Sequence, residues 1–176
     1  MKPDAMIVID VQTALIEAHP YREEAFLGTL QTLLTACRRH GVPVIYIQHE
    51  EAGSELEHGT AGWRIAQAVA PAPGEKVFAK RFNSSFRQTG LHEHLQSMGA
   101  KRLILCGMQT EYCVDTTVKV AFELGYEVSV PEGGTDTFDN GSFKAEDLLA
   151  YYQRRIWHNE LATVTPVETL LLAIEG

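Results

Sequence analysis

The feature that most constrains this chain is the unbroken apolar run Ala5-Met6-Ile7-Val8-Ile9. A strand with one wet face alternates polar and apolar residues. A short continuous run rich in branched side chains reads instead as a strand covered on both faces. Val42 to Ile47, Val77 to Ala79, Arg102 to Cys106, Tyr126 to Val130 and a weaker Leu161 to Val164 read as further strands. Helical patterns fall between them. Residues 23–39 place Phe26, Leu30, Leu33 and Leu34 on one side, with Gly41 after their end. Leu91 to Met98 closes on Gly99, and Cys113 to Leu124 closes on Gly125. Residues 144–158 form another helix, and Pro166 to Ile174 the last, with proline in its first turn. Residues 51–62 read as loop, and residues 63–70 as a short helix stopped by Pro71 and Pro73.

Strand–helix alternation implies parallel strands joined by helical crossovers. The expected fold class is α/β, a three-layer α/β/α domain with a doubly wound six-stranded parallel sheet. At 176 residues the chain supports one buried core, so residues 1–176 are read as one domain. With 45% hydrophobic and 22% charged residues it has a globular balance. A formal charge of −8 with no basic stripe argues against nucleic acid and anionic membranes as partners, and for a small-molecule substrate. No apolar run is long enough for a bilayer span, and residues 1–10 lack a signal-peptide layout. The three cysteines, Cys37, Cys106 and Cys113, form no disulfide framework, which favours a reducing cytoplasm.

In a doubly wound sheet, ligands bind at the carboxyl ends of the strands, where the strand order reverses. Asp10 follows the first strand, Lys80 the third, and Gly107-Met108-Gln109-Thr110-Glu111-Tyr112-Cys113 the fourth. Taken singly, an aspartate after a strand is often a helix cap, a loop lysine is usually solvated, and a cysteine is usually a small core residue. Cys37 and Cys106 fit that last description. Cys113 differs by position. With Thr110 as N-cap it falls in a first helical turn, whose unpaired N–H groups lower a thiol pKa and can hold an oxyanion.

These residues carry a family likeness. Asp10-Val11-Gln12, Gly62-Trp63 with Pro73-Gly74-Glu75, Lys80 to Phe86 with Thr89 and Leu91, and Gly107 to Val114 together resemble the isochorismatase-like cysteine hydrolases. That superfamily includes nicotinamidases and N-carbamoylsarcosine amidases. The resemblance implies an Asp10–Lys80–Cys113 catalytic triad and a cis peptide between Met108 and Gln109. It also implies an oxyanion hole built from the N–H groups of Gln109 and Cys113. Gln12, Trp63, Phe82 and Tyr112 are read as substrate-binding. No organic cofactor is required, and the family suggests a homo-oligomer, dimer or higher.

Two departures stand out. Nicotinamidases carry an Asp-Trp-His metal run after the second strand, where this chain reads Gln48-His49-Glu50-Glu51, with His58 later. His49, Glu51 and His58 are loosely spaced and are read as solvated, so no metal is expected. Where many members have Asp-Ala, this chain has Pro131-Glu132-Gly133-Gly134. The leading reading is hydrolysis of a small amide, imide or carbamoyl compound through an acyl-thioester. The alternatives are vinyl ether hydrolysis of the isochorismatase type, which needs no thiol, and a non-catalytic binding protein on the same fold.

Overall fold

The computed structural model describes residues 1–158 and 160–176. Its six strands are β1 (Ala5–Ile9), β2 (Val44–His49), β3 (Lys76–Lys80), β4 (Arg102–Gly107), β5 (Glu127–Pro131) and β6 (Thr163–Thr165). All pair in parallel, in the order β3-β2-β1-β4-β5-β6. From β1 the chain winds outward to β2 and β3, then returns to the other side of β1 for β4, β5 and β6. The strand order therefore reverses between β1 and β4.

The helices are α1 (Thr13–Glu17), α2 (Glu23–Arg39), α3 (Leu91–Ser97), α4 (Asp115–Glu123), α5 (Ala145–Tyr151) and α6 (Val167–Glu175). β1 shows why both faces of the sheet are covered. Met6 and Val8 join Phe26, Leu30 and Leu33 of α2 and Ile174 of α6 in one apolar cluster. Ala5, Ile7 and Ile9 join Leu91 and Leu95 of α3, Val118 and Ala121 of α4, and Trp157 in the other. β1 thus buries every residue of its run, as its unbroken apolar pattern demands. Among the described residues no helix is long and apolar enough to cross a membrane.

Several expected boundaries move. The segment at 63–70 holds only a 3₁₀ turn at Gln67–Val69. The five-residue α1 lies in a stretch with no helical period long enough to read. The helix expected from Cys113 begins earlier, as a wide π turn over Thr110–Val114 that runs into α4. A second π turn, Tyr152–Trp157, follows α5.

Candidate active site

The carboxyl ends of β1, β2, β3 and β4 deliver Asp10, His49, Lys80 and the Gly107–Cys113 turn to one place. Asp10 adopts φ +51, a left-handed conformation that aspartate tolerates better than most residues and that is over-represented at functional sites. Gly107 has φ +128 and pairs with Ile9 across the β1–β4 ladder. A Cβ on Gly107 would stand 2.0 Å from the Ile9 carbonyl oxygen, so only glycine lets the two strand ends close up. The next peptide, Met108–Gln109, is cis.

Lys80 is the hub. Its buried Nζ stands 2.5 Å from Asp10 Oδ2, 3.0 Å from His49 Nδ1 and 3.2 Å from Cys113 Sγ. An ammonium has three N–H donors, and here three acceptors surround it. Apart from Lys80, the Asp10 carboxylate has no hydrogen-bond partner among the described residues, and it faces the thiol. Cys113 Sγ also lies 3.9 Å from Asn83 Oδ1. Ser85 keeps the Lys80 loop against the nucleophile helix: its N–H and hydroxyl meet Thr117 Oγ1 of α4 at 3.1 and 2.9 Å. On the far side of the helix, buried Asp115 accepts Trp157 Nε1 at 3.0 Å and Lys119 Nζ at 2.6 Å.

The electrostatics correct one expectation. The Cys113 thiol is not acidified. Burial, followed by repulsion from the Asp10 carboxylate, pushes its pKa up to about 12, and the opposing pull of Lys80 does not offset them. Burial also pushes the Asp10 carboxyl upward, against the Lys80 ammonium. Burial and then Lys80 push His49 below the usual histidine range, so its ring is neutral and Nδ1 is free to accept. A second correction concerns Thr110. It caps nothing; its hydroxyl points inward, within 3.1 Å of Thr135 Oγ1 and 3.2 Å of the Asp136 carbonyl oxygen.

A cleft of about 250 Å³ opens above these groups, lined by Leu15, Leu56 and Met108 and by Glu51, Asn83, Gln109 and Tyr112, with Cys113 among them. Gln12, Trp63 and Phe82, read from sequence as substrate-binding, do not line it. Gln12 clamps backbone instead, donating to the His49 and Trp63 carbonyls and accepting the His49 N–H. Trp63 packs against the His58 ring at 4.3 Å. Phe82 lies under the Arg87 guanidinium, 3.8 Å from its ring centroid, in a neighbouring hollow. Tyr112 does reach the cleft, with its hydroxyl held by Asn140 Nδ2 at 2.7 Å. Sequence reasoning gave no role to Asn83, Leu15 or Leu56, although Asn83 stands in the same motif as Lys80. A larger hollow of about 610 Å³ opens at the amino ends of β4–β6, and its lining includes no cysteine or histidine.

Asp10, His49 and Cys113 present ligand atoms within 4.8 Å of one another. They do not fit a metal ion, because the Lys80 ammonium already stands among them within 3.2 Å of all three. His58 is engaged with Glu50 at 2.8 Å, and the Asp-Trp-His run is missing.

A six-stranded parallel sheet bearing a carboxylate, an ammonium and a thiol at its switch point defines a class of α/β hydrolytic enzymes. The isochorismatase domain matches residues 4–156, and the chain belongs to the isochorismatase family of hydrolases. It is 34% identical to streptothricin hydrolase of Streptomyces noursei over 77% of this chain and 50% of that one. The chain thus spans about half the length of the streptothricin hydrolases it matches. It is 35% identical to the isochorismatase family protein YddQ of Bacillus subtilis, over 76% of this chain and 77% of that one. It is 30% identical to nicotinamidase 3 of Arabidopsis thaliana, over 77% and 74%. An isochorismatase-family hydrolase structure from Chromobacterium violaceum superposes with a TM-score of 0.90 at 31% identity, covering 98% of this chain and 93% of that one.

Proposed function

We propose that this protein hydrolyses a carbon–nitrogen bond in a small amide, imide or carbamoyl compound, with Cys113 as covalent nucleophile. The observation that carries the reading is the shared hub. One ammonium, Lys80 Nζ, touches both Asp10 Oδ2 and Cys113 Sγ at the floor of a small cleft. Since the resting thiol is protonated, attack requires a base, and Asp10 is the carboxylate beside it. Asp10 takes the S–H proton as sulfur bonds to the carbonyl carbon. The carbonyl oxygen gains the electron pair and is met by the N–H groups of Gln109 and Cys113. The Gln109 N–H has no protein acceptor among the described residues, which suits that task.

Collapse of the tetrahedral intermediate breaks the C–N bond, and Asp10 returns its proton to the leaving nitrogen. Water then adds to the thioester, giving a proton to Asp10 that finally restores the thiol as the acid leaves. Lys80 favours the ionised form of Asp10 against the burial that raises its pKa, and orients it toward sulfur. The matched relatives named streptothricin hydrolase and nicotinamidase 3 support an amide-type substrate.

The test is a panel of small amides, ureides and isochorismate, read as released ammonia and pyruvate. The expected result is ammonia release, with a thioester-linked acyl group trapped on Cys113 by acid quench. Cys113→Ala is expected to lose at least about a thousandfold in turnover while remaining folded. Pyruvate release from isochorismate that survives Cys113→Ala would sink this reading in favour of vinyl ether hydrolysis.

A further inference from the structure

The charges around the cleft do not cancel. Lys80 lies outside the cleft lining, and its ammonium is paired with the Asp10 carboxyl group at 2.5 Å. Among the described residues, no lysine and no arginine lines the cleft. His49 is neutral, because burial and Lys80 push its pKa down. Cys113 is a neutral thiol. Glu51 remains. Its exposed side chain lines the cleft together with apolar Leu15 and Leu56 and has no ion-pair or hydrogen-bond partner among the described residues. The neighbouring Glu50 is different: it is held by His58 at 2.8 Å and Arg81 at 3.4 Å. The cleft lining therefore carries one uncompensated negative charge, set in a hollow of about 250 Å³. A charge of one sign at the mouth of a cleft raises the local concentration of cations and lowers that of anions, by an amount that salt reduces.

We propose that Glu51 is a specificity residue that selects a small amide bearing a positively charged group, an ammonium or guanidinium, and turns away carboxylate-bearing ones. The selection rests on the reading of this cleft as the site of amide hydrolysis. The amide carbonyl sits over Cys113, and the cationic group is drawn to the Glu51 carboxylate at the wall. Leu15 and Leu56 offer an apolar surface for the part of the substrate between the two groups. A substrate with a free carboxylate meets Glu51 with no compensating cation.

The experiment uses Cys113 as reporter and does not depend on turnover. The intact protein is treated with methanethiosulfonates of similar size carrying a trimethylammonium, no charge, or a sulfonate. In each case the Cys113 sulfur displaces methanesulfinate and forms a mixed disulfide, which mass spectrometry follows. Rates are divided by those of a small free thiol. The cationic reagent is expected to outpace the neutral one about tenfold and the anionic one by more, with the gap shrinking as salt is added. Glu51→Gln is expected to bring the three rates to within about threefold, and Glu51→Lys to invert their order. Glu175→Gln, an exposed acid outside the cleft, controls for the overall charge of −8 and is expected to change nothing. An unchanged ratio in Glu51→Gln, an equal drop in Glu175→Gln, or a preference for the anionic reagent in the natural chain would each overturn the assignment. Failure of the catalytic reading shows separately, as amide hydrolysis that persists in Cys113→Ala whatever the labelling order.

Discussion

Cys113 lies in the opening turn of a helix, and that position ordinarily favours a thiolate. Here the balance falls the other way, because sulfur lies low in the cleft beside a carboxylate, and burial with Asp10 raises its pKa to about 12. The sign of the pH dependence follows. An acid whose pKa is raised stays protonated until high pH, so its thiolate fraction grows tenfold per unit throughout the neutral range. Alkylation of Cys113 by iodoacetamide is therefore expected to rise about tenfold per unit between pH 6 and 9, with no plateau. Cys37 and Cys106, fully buried in the core, lag behind it at every pH. A plateau below pH 9 would show that the field of the helix turn outweighs burial. The positions of Asp10, Lys80 and Cys113 were legible because each stands at the end of a strand or a few residues beyond it. The protonation state was not, since it depends on what packs around the sulfur. His49 was legible only as a loose metal-ligand candidate. That it is a neutral acceptor for Lys80 emerges only when β2 and β3 lie side by side, with His49 opposite Lys80 in the register.

At the scale of elements, the central strands β1, β2 and β4 could be read directly because helices cover both their faces and each carries an apolar run of at least four residues. β3 was read short, as Val77 to Ala79, because it is an edge strand flanked by Lys76 and Lys80 and exposes much of its length. The two π turns were not legible, since a π turn leaves no period of its own in the sequence. Gln12 shows the same limit. It was read as a pocket residue, yet its amide joins α1's approach to the end of β2 and to Trp63, a contact between residues 37 and 51 positions apart. The junction of β1 with β4 carries a sharper consequence. Gly107 brings the turn that bears the nucleophile against Ile9, the residue before Asp10. Gly107→Ala places a methyl group 2.0 Å from the Ile9 carbonyl oxygen, on a backbone at φ +128. The strand ends must then part. The expected cost is about 3 kcal/mol or more in urea unfolding, with loss of turnover in whatever folded protein remains. A loss under about 1 kcal/mol would mean that the two strands are held apart already.

For the whole molecule, the sheet has to be closed at its amino edge as well as built at its carboxyl edge, and one carboxylate does much of this. Asp4 lies just before β1, and its Oδ2 accepts the backbone N–H groups of Lys101 and Arg102, both at 2.9 Å, while Oδ1 meets Arg102 Nη2 at 2.8 Å. The contact joins residues 98 positions apart and pins the leading segment to the start of β4. Principally through the Arg102 hydrogen bond, it holds the Asp4 carboxyl at about 2, below its ordinary 3.8. An acid whose pKa is lower in the folded state contributes stability that is complete above the unfolded value and fades as pH falls toward the folded one. For Asp4 that window runs from about 4 down to about 2. With the side chain 27% exposed, solvent screening leaves about 1–2 kcal/mol. Asp10 and Asp136, whose pKa values are raised by burial, act in the opposite sense, so the total pH curve mixes the two. A difference measurement isolates Asp4. Asp4→Asn keeps an acceptor for the backbone N–H groups, removes the charge and replaces the oxygen that accepts Arg102 Nη2 with an amide donor, a loss that does not vary with pH. Urea unfolding of the natural chain and this variant is expected to differ by about 1–2 kcal/mol at pH 7, and by progressively less from pH 4 to pH 2.5. A difference that stays constant down to pH 2.5 would show that the pairing acts through shape and not through charge.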